Sequence, residues 1–369
     1  MSRCERHVVA ALLVVVGLLT SACTASTQHG SSHDPSLAHA AATTGSYRLA
    51  FGLNGDIYLA NQDGSNPVRI AHRRGPCGDY WGEGPMWSPD GRYLAYRGSV
   101  GHGDSCHETV NISDAEGRHI ATFPGTGWRI PWSPDSTRVA TWDKLGRTIA
   151  IYGLDGVRQA LLTVPPTKKL PNGLPRLRGD HDPAWLADGT SLLLPSRLEI
   201  PLDGSTPRLL PSPHPGGDFA YSSDGEHVAY WHTSLTWDGS KGSLNVAAAD
   251  GSQPRVLFSG GFSAGSIAWS PSGDRIAFST GPPVGTYPSV ANELYVVDVA
   301  SGTTLPVAKG RFGSPSVRGF SPAGDRILYS STNAHRMTSL WSVGVDGSDP
   351  QLLVKGTDWG EWQPVGATG

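Results

Sequence analysis

Residues 86–96 read MWSPDGRYLAY. The same phrase returns as PWSPDSTRVAT (131–141), AWLADGTSLLL (184–194), AYSSDGEHVAY (220–230), AWSPSGDRIAF (268–278) and GFSPAGDRILY (319–329). Each copy ends a short apolar run on an aromatic residue, turns on Pro, Asp and Gly, and resumes with alternating apolar residues. Pro and Gly supply the backbone angles that such a turn requires, and the alternation is that of a half-buried strand. A second phrase separates the copies, as in LYVVDVASGTTLPV and LWSVGVDGSDPQLL, where two strand-like runs flank an Asp-Gly or Ser-Gly turn. Such a turn between apolar runs is a strong hairpin signal. The unit is therefore four short strands, a to d. Its aromatic anchors, Trp87, Trp132, Trp185, Tyr221, Trp269, Phe320 and Trp362, recur about every 46 residues. Four strands at that period make a propeller blade. No segment keeps an apolar period of 3.6, so little helix is expected.

The two ends define the closure. The first unit, from Tyr47 to Ile70, has strands b, c and d but no strand a. The chain finishes on Trp359-Gly360-Glu361-Trp362-Gln363-Pro364, a strand a with nothing after it. The predicted fold is an all-β, seven-bladed β-propeller over residues 46–365, closed by the C-terminal strand completing the first blade, with 366–369 as a tail. Closure of this kind leaves no unpaired strand edge in the ring.

Composition agrees. The 369 residues include 47 Gly and 29 Pro, which suits a turn-rich chain, and 12 Trp, which argues for a packed core. The net charge of −3 excludes a strongly basic nucleic-acid binder.

The N-terminus reads as an address. Arg3 and Arg6 precede an apolar run from Val8 to Leu19, short for a membrane span and suited to a secretory signal over residues 1–22. Thr20-Ser21-Ala22 then lead to Cys23. This small-residue stretch ending in Cys resembles the lipobox of bacterial lipoproteins, with Thr20 where that motif usually has Leu. The resemblance implies that Cys23 carries the lipid and begins the mature chain. It also implies an exported protein held to the extracytoplasmic face of a membrane. Residues 24–45 are Ser, Thr, Ala and His with few large apolar side chains, the composition of a flexible tether. Its histidines, His29, His33 and His39, read as polar spacers. Of the four cysteines, Cys4 leaves with the signal. Cys77 and Cys106 remain and are expected to form a disulfide in an oxidising compartment.

The repeat itself, WSPDG followed by an Arg and an alternating strand, then DGS and Pro before the last strand, resembles the TolB-like, WD-repeat-like propeller. The resemblance covers residues 46–365 and implies the fold. TolB carries an α/β domain ahead of its propeller, and that domain is not expected here. Similar blades occur in Tol-system proteins, in the propellers of prolyl-oligopeptidase-like peptidases and in oligogalacturonate lyases. A fold shared so widely leaves function to its sites.

Two function classes follow. The first is a non-catalytic envelope lipoprotein that recognises a protein, peptide or glycan on its loop face. The alternative is a funnel-site enzyme, a metal-assisted lyase or hydrolase resembling oligogalacturonate lyase. Gly261-Phe262-Ser263-Ala264-Gly265 matches the G-x-S-x-G elbow, but that elbow needs a strand-to-helix turn. Here it lies between two strands and reads as a connector. Gly103-Asp104-Ser105 is a tripeptide in a Gly-rich loop and carries little. The Asp-Gly turns recur in nearly every blade and read as fold chemistry. No catalytic residue, cofactor or metal is assigned.

Loop length varies by face. The a–b and c–d turns are tight. The long segments 71–85, 97–109, 165–183, 231–243 and 279–292 are all b–c or d–a connections, on the opposite face, where function concentrates. His72, His102, His107, His181, His214, His232 and His335 also fall there, though a metal site would need several to converge. Strand a is innermost and begins at that face, so the residues two to four places before each anchor should ring the channel mouth. They are Glu83, Arg129, His181 with Asp182, Asp218, Arg318 and Asp358, with Ser266 in the sixth blade. Their differing charges predict a polar, asymmetric ligand site.

Overall fold

The computed structural model describes residues 47–364, apart from 73–83, 102–104, 128, 144–145, 166–182, 195–197, 211–218, 237–238, 261–262, 282–291, 311–314 and 334. Seven antiparallel sheets make the ring. The first holds β1 (Arg48–Leu53), β2 (Asp56–Asn61) and β3 (Val68–His72). The second is β4 (Met86–Trp87), β5 (Tyr93–Val100), β6 (His107–Asp114) and β7 (His119–Pro124). The third has only β8 (Arg138–Trp142), β9 (Thr148–Gly153) and β10 (Arg158–Thr163). The fourth is β11 (Ala184–Trp185), β12 (Ser191–Leu193), β13 (Leu198–Pro201) and β14 (Arg208–Leu209). The fifth is β15 (Phe219–Tyr221), β16 (His227–Thr236), β17 (Gly239–Ala248) and β18 (Arg255–Gly260). The sixth is β19 (Ser263–Trp269), β20 (Arg275–Gly281), β21 (Asn292–Asp298) and β22 (Thr304–Gly310). The seventh is β23 (Ser316–Phe320), β24 (Arg326–Thr332), β25 (Thr338–Gly344) and β26 (Gln351–Lys355). The last strand, β27 (Gly360–Trp362), joins the first sheet. No α-helix occurs among the described residues.

The closure has the expected form. β27 pairs antiparallel with β1, Trp362 opposite Leu49 and Gly360 opposite Phe51. Gln363 extends it: its amide donates to the Arg48 carbonyl at 2.7 Å, and its side-chain oxygen accepts from the Arg48 amide.

The repeat explains both kinds of turn. The Ser after the anchor is buried and works twice. Its Oγ accepts from the amide five residues on, as Ser88 does from Tyr93 and Ser133 from Arg138. It also donates to the turn Asp, Ser88 to Asp90 at 2.6 Å. Where the phrase changes to SPSGD or SPAGD the Asp moves two places, and Ser270 and Ser321 donate to Asp274 and Asp325 instead. On the c–d side, Asp346 accepts from the Ser348 amide, and Gly347 takes the left-handed conformation (φ 83°) that only Gly adopts at no steric cost.

The core is a ring of seams between neighbouring blades. Leu49 and Phe51 pack on Leu328 and Leu340 across the seventh–first seam, and Ala277 and Leu294 on Phe320 and Tyr329 across the sixth–seventh. Each fully buried large apolar side chain contributes about 1.5–3 kcal/mol. The anchors pin the seams further. The indole of Trp87 donates to the Glu361 carbonyl, Trp132 to Met86, Trp185 to Pro131 and Trp269 to Ala220, in each case the residue just before the preceding blade's anchor. The anchors are packing residues, as their recurrence implies.

Two expectations need correction. The third blade lacks a regular strand a, which is reduced to two isolated bridges to β8, Thr126 with Trp142 and Trp132 with Val139. Ala140 donates to the Pro131 carbonyl, but Pro131 has no N–H to return the bond. Much of segment 231–243 is strand rather than loop: β16 and β17 pair out to Thr236 opposite Gly239. The stretch Trp231-His232-Thr233-Ser234-Leu235-Thr236, with an aromatic and two β-branched residues and neither Gly nor Pro, favours that extension.

Candidate functional site

The inner strands begin where the d–a connections arrive, and the inner-strand position three before the anchor defines a ring there. It is Trp359 in the first blade, Gly84 in the second, Arg129 in the third, Ser266 in the sixth and Val317 in the seventh. Gly84 decides what happens at it. A Cβ there would lie 2.0 Å from Trp359 Cδ1, so the missing side chain is the space the indole occupies. Trp359 thus crosses from its own blade onto the second, and its Nε1 donates to the Pro85 carbonyl at 3.1 Å.

Two predicted residues converge on this indole. The Arg318 guanidinium carbon lies 4.2 Å from a Trp359 ring centroid, and that of Arg129 lies 5.9 Å away. Both distances fall within cation–π range. Arg318 also donates to Ser330 Oγ at 3.3 Å. Asp358, the neighbour of Trp359, is exposed. Blades one, three and seven therefore deliver an Arg–indole–Arg group with a carboxylate beside it.

The connector carrying Arg129 is held from below. Arg97 on β5 is buried, donates to the Arg129 carbonyl at 3.1 Å, and pairs with Glu108 on β6 at 3.4 Å. The Ile130 amide donates to Met86 Sδ. Ser266 is spent on the fold: its Oγ accepts from the Val317 amide at 2.6 Å and bonds the Ser279 hydroxyl.

Several expectations fall elsewhere. Glu83, His181, Asp182, Asp218, Cys23 and Cys77 lie outside the described residues, as do His102 and His214. Cys106 is disulfide-bonded. Of the remaining loop histidines, His72 pairs with Asp56, while His107, His232 and His335 are exposed and lie on three different blades. Ser263 opens β19 and pairs with Gly281 in a continuous strand, so the elbow geometry is absent there.

Among the described residues, one group of potential metal ligands clusters, Asp224, Glu226 and His227. It sits in the exposed a–b turn of the fifth blade. Asp224 is held below the usual carboxylate range by the Ser222 hydroxyl and then the Glu226 amide, the bonds of the turn itself. This is fold chemistry. Elsewhere, burial first, and then the charges of Glu199 and Asp188, push the Tyr221 hydroxyl up to about 12. Burial, together with Glu293, pushes Tyr295 up to about 12.

Trp359 is the member that sequence reasoning missed as a site residue. Its signal was available: a large aromatic at the minus-three position of one blade, and the only Gly of that ring in the next.

No family model matches the chain, and no curated protein matches it in sequence. Solved structures do. The periplasmic gluconolactonase PpgL of Pseudomonas aeruginosa gives a TM-score of 0.53 at 17% identity, over 87% of this chain and 99% of that one. TolB from Acinetobacter baumannii gives 0.49 at 15% identity, over 86% of this chain and 67% of that one. At such identities the likeness is one of fold.

Proposed function

We propose that the protein is an envelope lipoprotein, anchored through Cys23, whose propeller binds a protein, peptide or glycan at the channel mouth on its loop face. The observation that carries this reading is the Arg129–Trp359–Arg318 group. Residues that serve the fold recur blade after blade. These three come from different blades, their residue types are not repeated at the matching positions of the others, and they meet at the start of the inner strands. Trp and Arg are both enriched among the central residues that carry most of the energy of binding interfaces. With Asp358 adjacent, and with Glu83, Asp182 and Asp218 at equivalent places in other blades, the mouth suits a partner carrying both charges. No helix among the described residues is long and apolar enough to cross a membrane. In this reading the acyl chains on Cys23 supply the attachment, and residues 24–45 the reach.

Two supporting assignments accompany it. Cys77 is the partner of Cys106, because Cys4 leaves with the signal and Cys23 is acylated. The bond ties the connection before the second blade to that blade's b–c loop. Peptide mapping without reduction should recover Cys77 and Cys106 together. For the anchor, Cys23→Ser should abolish incorporation of an alkyne-labelled acyl chain and release the protein from the membrane fraction.

The binding role is tested by capture from detergent-solubilised membranes with the full, acylated chain. A partner retained by wild type should fall at least tenfold with Arg129→Ala and Arg318→Ala combined. Undiminished capture by the folded double variant would place the site elsewhere on the molecule.

A further inference from the structure

The seams of the ring are not equal. Six of them are closed by an apolar cluster with members from both blades. The seam between the fourth and fifth blades is the exception among the described residues. The cluster there, Val228, Tyr230 and Ala247 with Phe219 and Tyr221, comes from the fifth blade alone.

The repeat shows what this seam lacks. At four seams the anchor is a tryptophan whose indole N–H reaches the carbonyl just before the preceding blade's anchor. The fifth blade has Tyr221 at that place. Its hydroxyl oxygen is buried and has no hydrogen-bond partner. A buried polar atom left unmatched is an exception that calls for a specific reason.

The fourth blade meets this ring with a charge. Trp185, Leu192 and Ile200 pack towards the third blade. The pleat turns Ala184, Leu193 and Glu199, which are neighbours across the sheet, to the other side. Glu199 is 5% exposed, and its carboxylate pairs at 2.6 Å with Arg208 of its own blade. The pair therefore ties the fourth blade to itself and not to the fifth. What does cross the seam is small: a Cβ on Gly225 would lie 2.4 Å from the Ala187 Cβ. With little apolar surface shared between the two blades, separating them exposes little to water, and such a junction belongs to the low-stability end of a structure.

In a ring of seven this seam lies opposite the first blade, which holds the closing strand and Trp359. We propose that the ring parts reversibly at the fourth–fifth seam while the strand closure of the first blade stays shut, so that the channel mouth widens opposite Trp359. The parting rests on the seam itself and does not depend on the partner proposed above.

Two alanines at the same repeat position report on the two junctions. Ala60 stands beside Leu49, itself opposite Trp362, and packs in the seventh–first seam. Ala247 stands beside Val228, itself opposite Tyr221, in the fourth–fifth seam. Both are buried. Ala60→Cys and Ala247→Cys are made separately in the acylated, non-reduced protein, and the rate of reaction with a maleimide is measured. Position 247 should react about tenfold faster or more. In a Tyr221→Trp background that keeps a native near-UV circular dichroism spectrum, the restored indole should slow position 247 about fivefold and leave position 60 unchanged. Should Ala247→Cys not fold, Val228→Cys takes its place, read against Val343→Cys in the sixth–seventh seam. Equal rates within the pair, or a faster reaction at the comparison position, would overturn the proposal. So would a rate at position 247 that Tyr221→Trp leaves as it was.

Discussion

The first and third blades make opposite choices. The first is assembled from the two ends of the chain, yet it is a complete four-stranded sheet with a clean register between β27 and β1. The third is continuous in sequence, yet it is the incomplete one, its inner strand reduced to two isolated bridges. Contiguity therefore does not decide regularity. The first blade carries the closure of the whole ring, and any slip there exposes two sheet edges. The third can be loosened at the cost of one hydrogen bond. The loosened stretch carries Arg129 towards the start of the inner strands.

The position of one proline separates the cases. The second and fourth blades place Pro85 and Pro183 two residues before the anchor, and each keeps a two-residue strand. The third places Pro131 directly before Trp132, at the residue whose N–H would pair with Ala140.

The largest expected effect breaks the regular side of this contrast. Trp362 is buried against Leu49 and Phe51, and its indole donates to the Gln62 carbonyl at 2.9 Å. Trp362→Ala should cost about 3–5 kcal/mol, read by urea unfolding. A loss below 1 kcal/mol would mean the closing strand is dispensable.

Alkali probes the seam between the fourth and fifth blades, where no shared apolar cluster is found among the described residues. Tyr221 faces the charges of Glu199 and Asp188 across it. With the hydroxyls of Tyr221 and Tyr295 raised from 10 in the unfolded chain to about 12 in the fold, the folded state holds its protons longer. Their contribution is complete below pH 10 and is lost as the pH climbs from 10 towards 12. Melting temperature should be flat up to pH 9.5 and fall beyond it. Tyr221→Phe should soften that fall.

Gly84→Ala comes next, since its Cβ would meet the Trp359 ring. It should cost about 1–3 kcal/mol and shift Trp359 out of its place between the arginines. Near-UV circular dichroism and partner capture should change together. Ser133→Ala is smaller: it removes the acceptor of the Arg138 amide and should cost about 1 kcal/mol by chemical unfolding. The smallest effect repairs the irregular blade. Pro131→Ala adds the missing amide, worth about 0.5–1.5 kcal/mol. It also frees the unfolded chain, which opposes the gain by about 0.4–1 kcal/mol. Stability should hardly move, while hydrogen exchange should reveal a newly protected amide at position 131.

Most of the fold was legible because it is written seven times. The buried Ser, the turn Asp and the anchor aromatics repeat, and the missing strand a of the first unit matched the extra one at the end. Even the displaced Asp274 and Asp325 kept their Ser partners. The site was legible only in part. Arg129 and Arg318 could be placed from their distance to the anchors. Trp359 was missed, because its signal shows only when its own blade is compared with an absence in the next, the Gly84 side chain. The hairpin beyond Trp231 was read as loop because length alone was weighed, although its alternation was that of strand.

The central claim is that the repeat serves the fold while the departures from it, gathered on the loop face, serve recognition. The direct test places a photocrosslinking amino acid at Asp358 on the loop face and, separately, at Ser301 in the c–d turn on the opposite face, in the acylated protein on intact membranes. The account predicts a discrete crosslinked product from position 358 and none from position 301. Crosslinking from 301 alone, or equally from both, would contradict it.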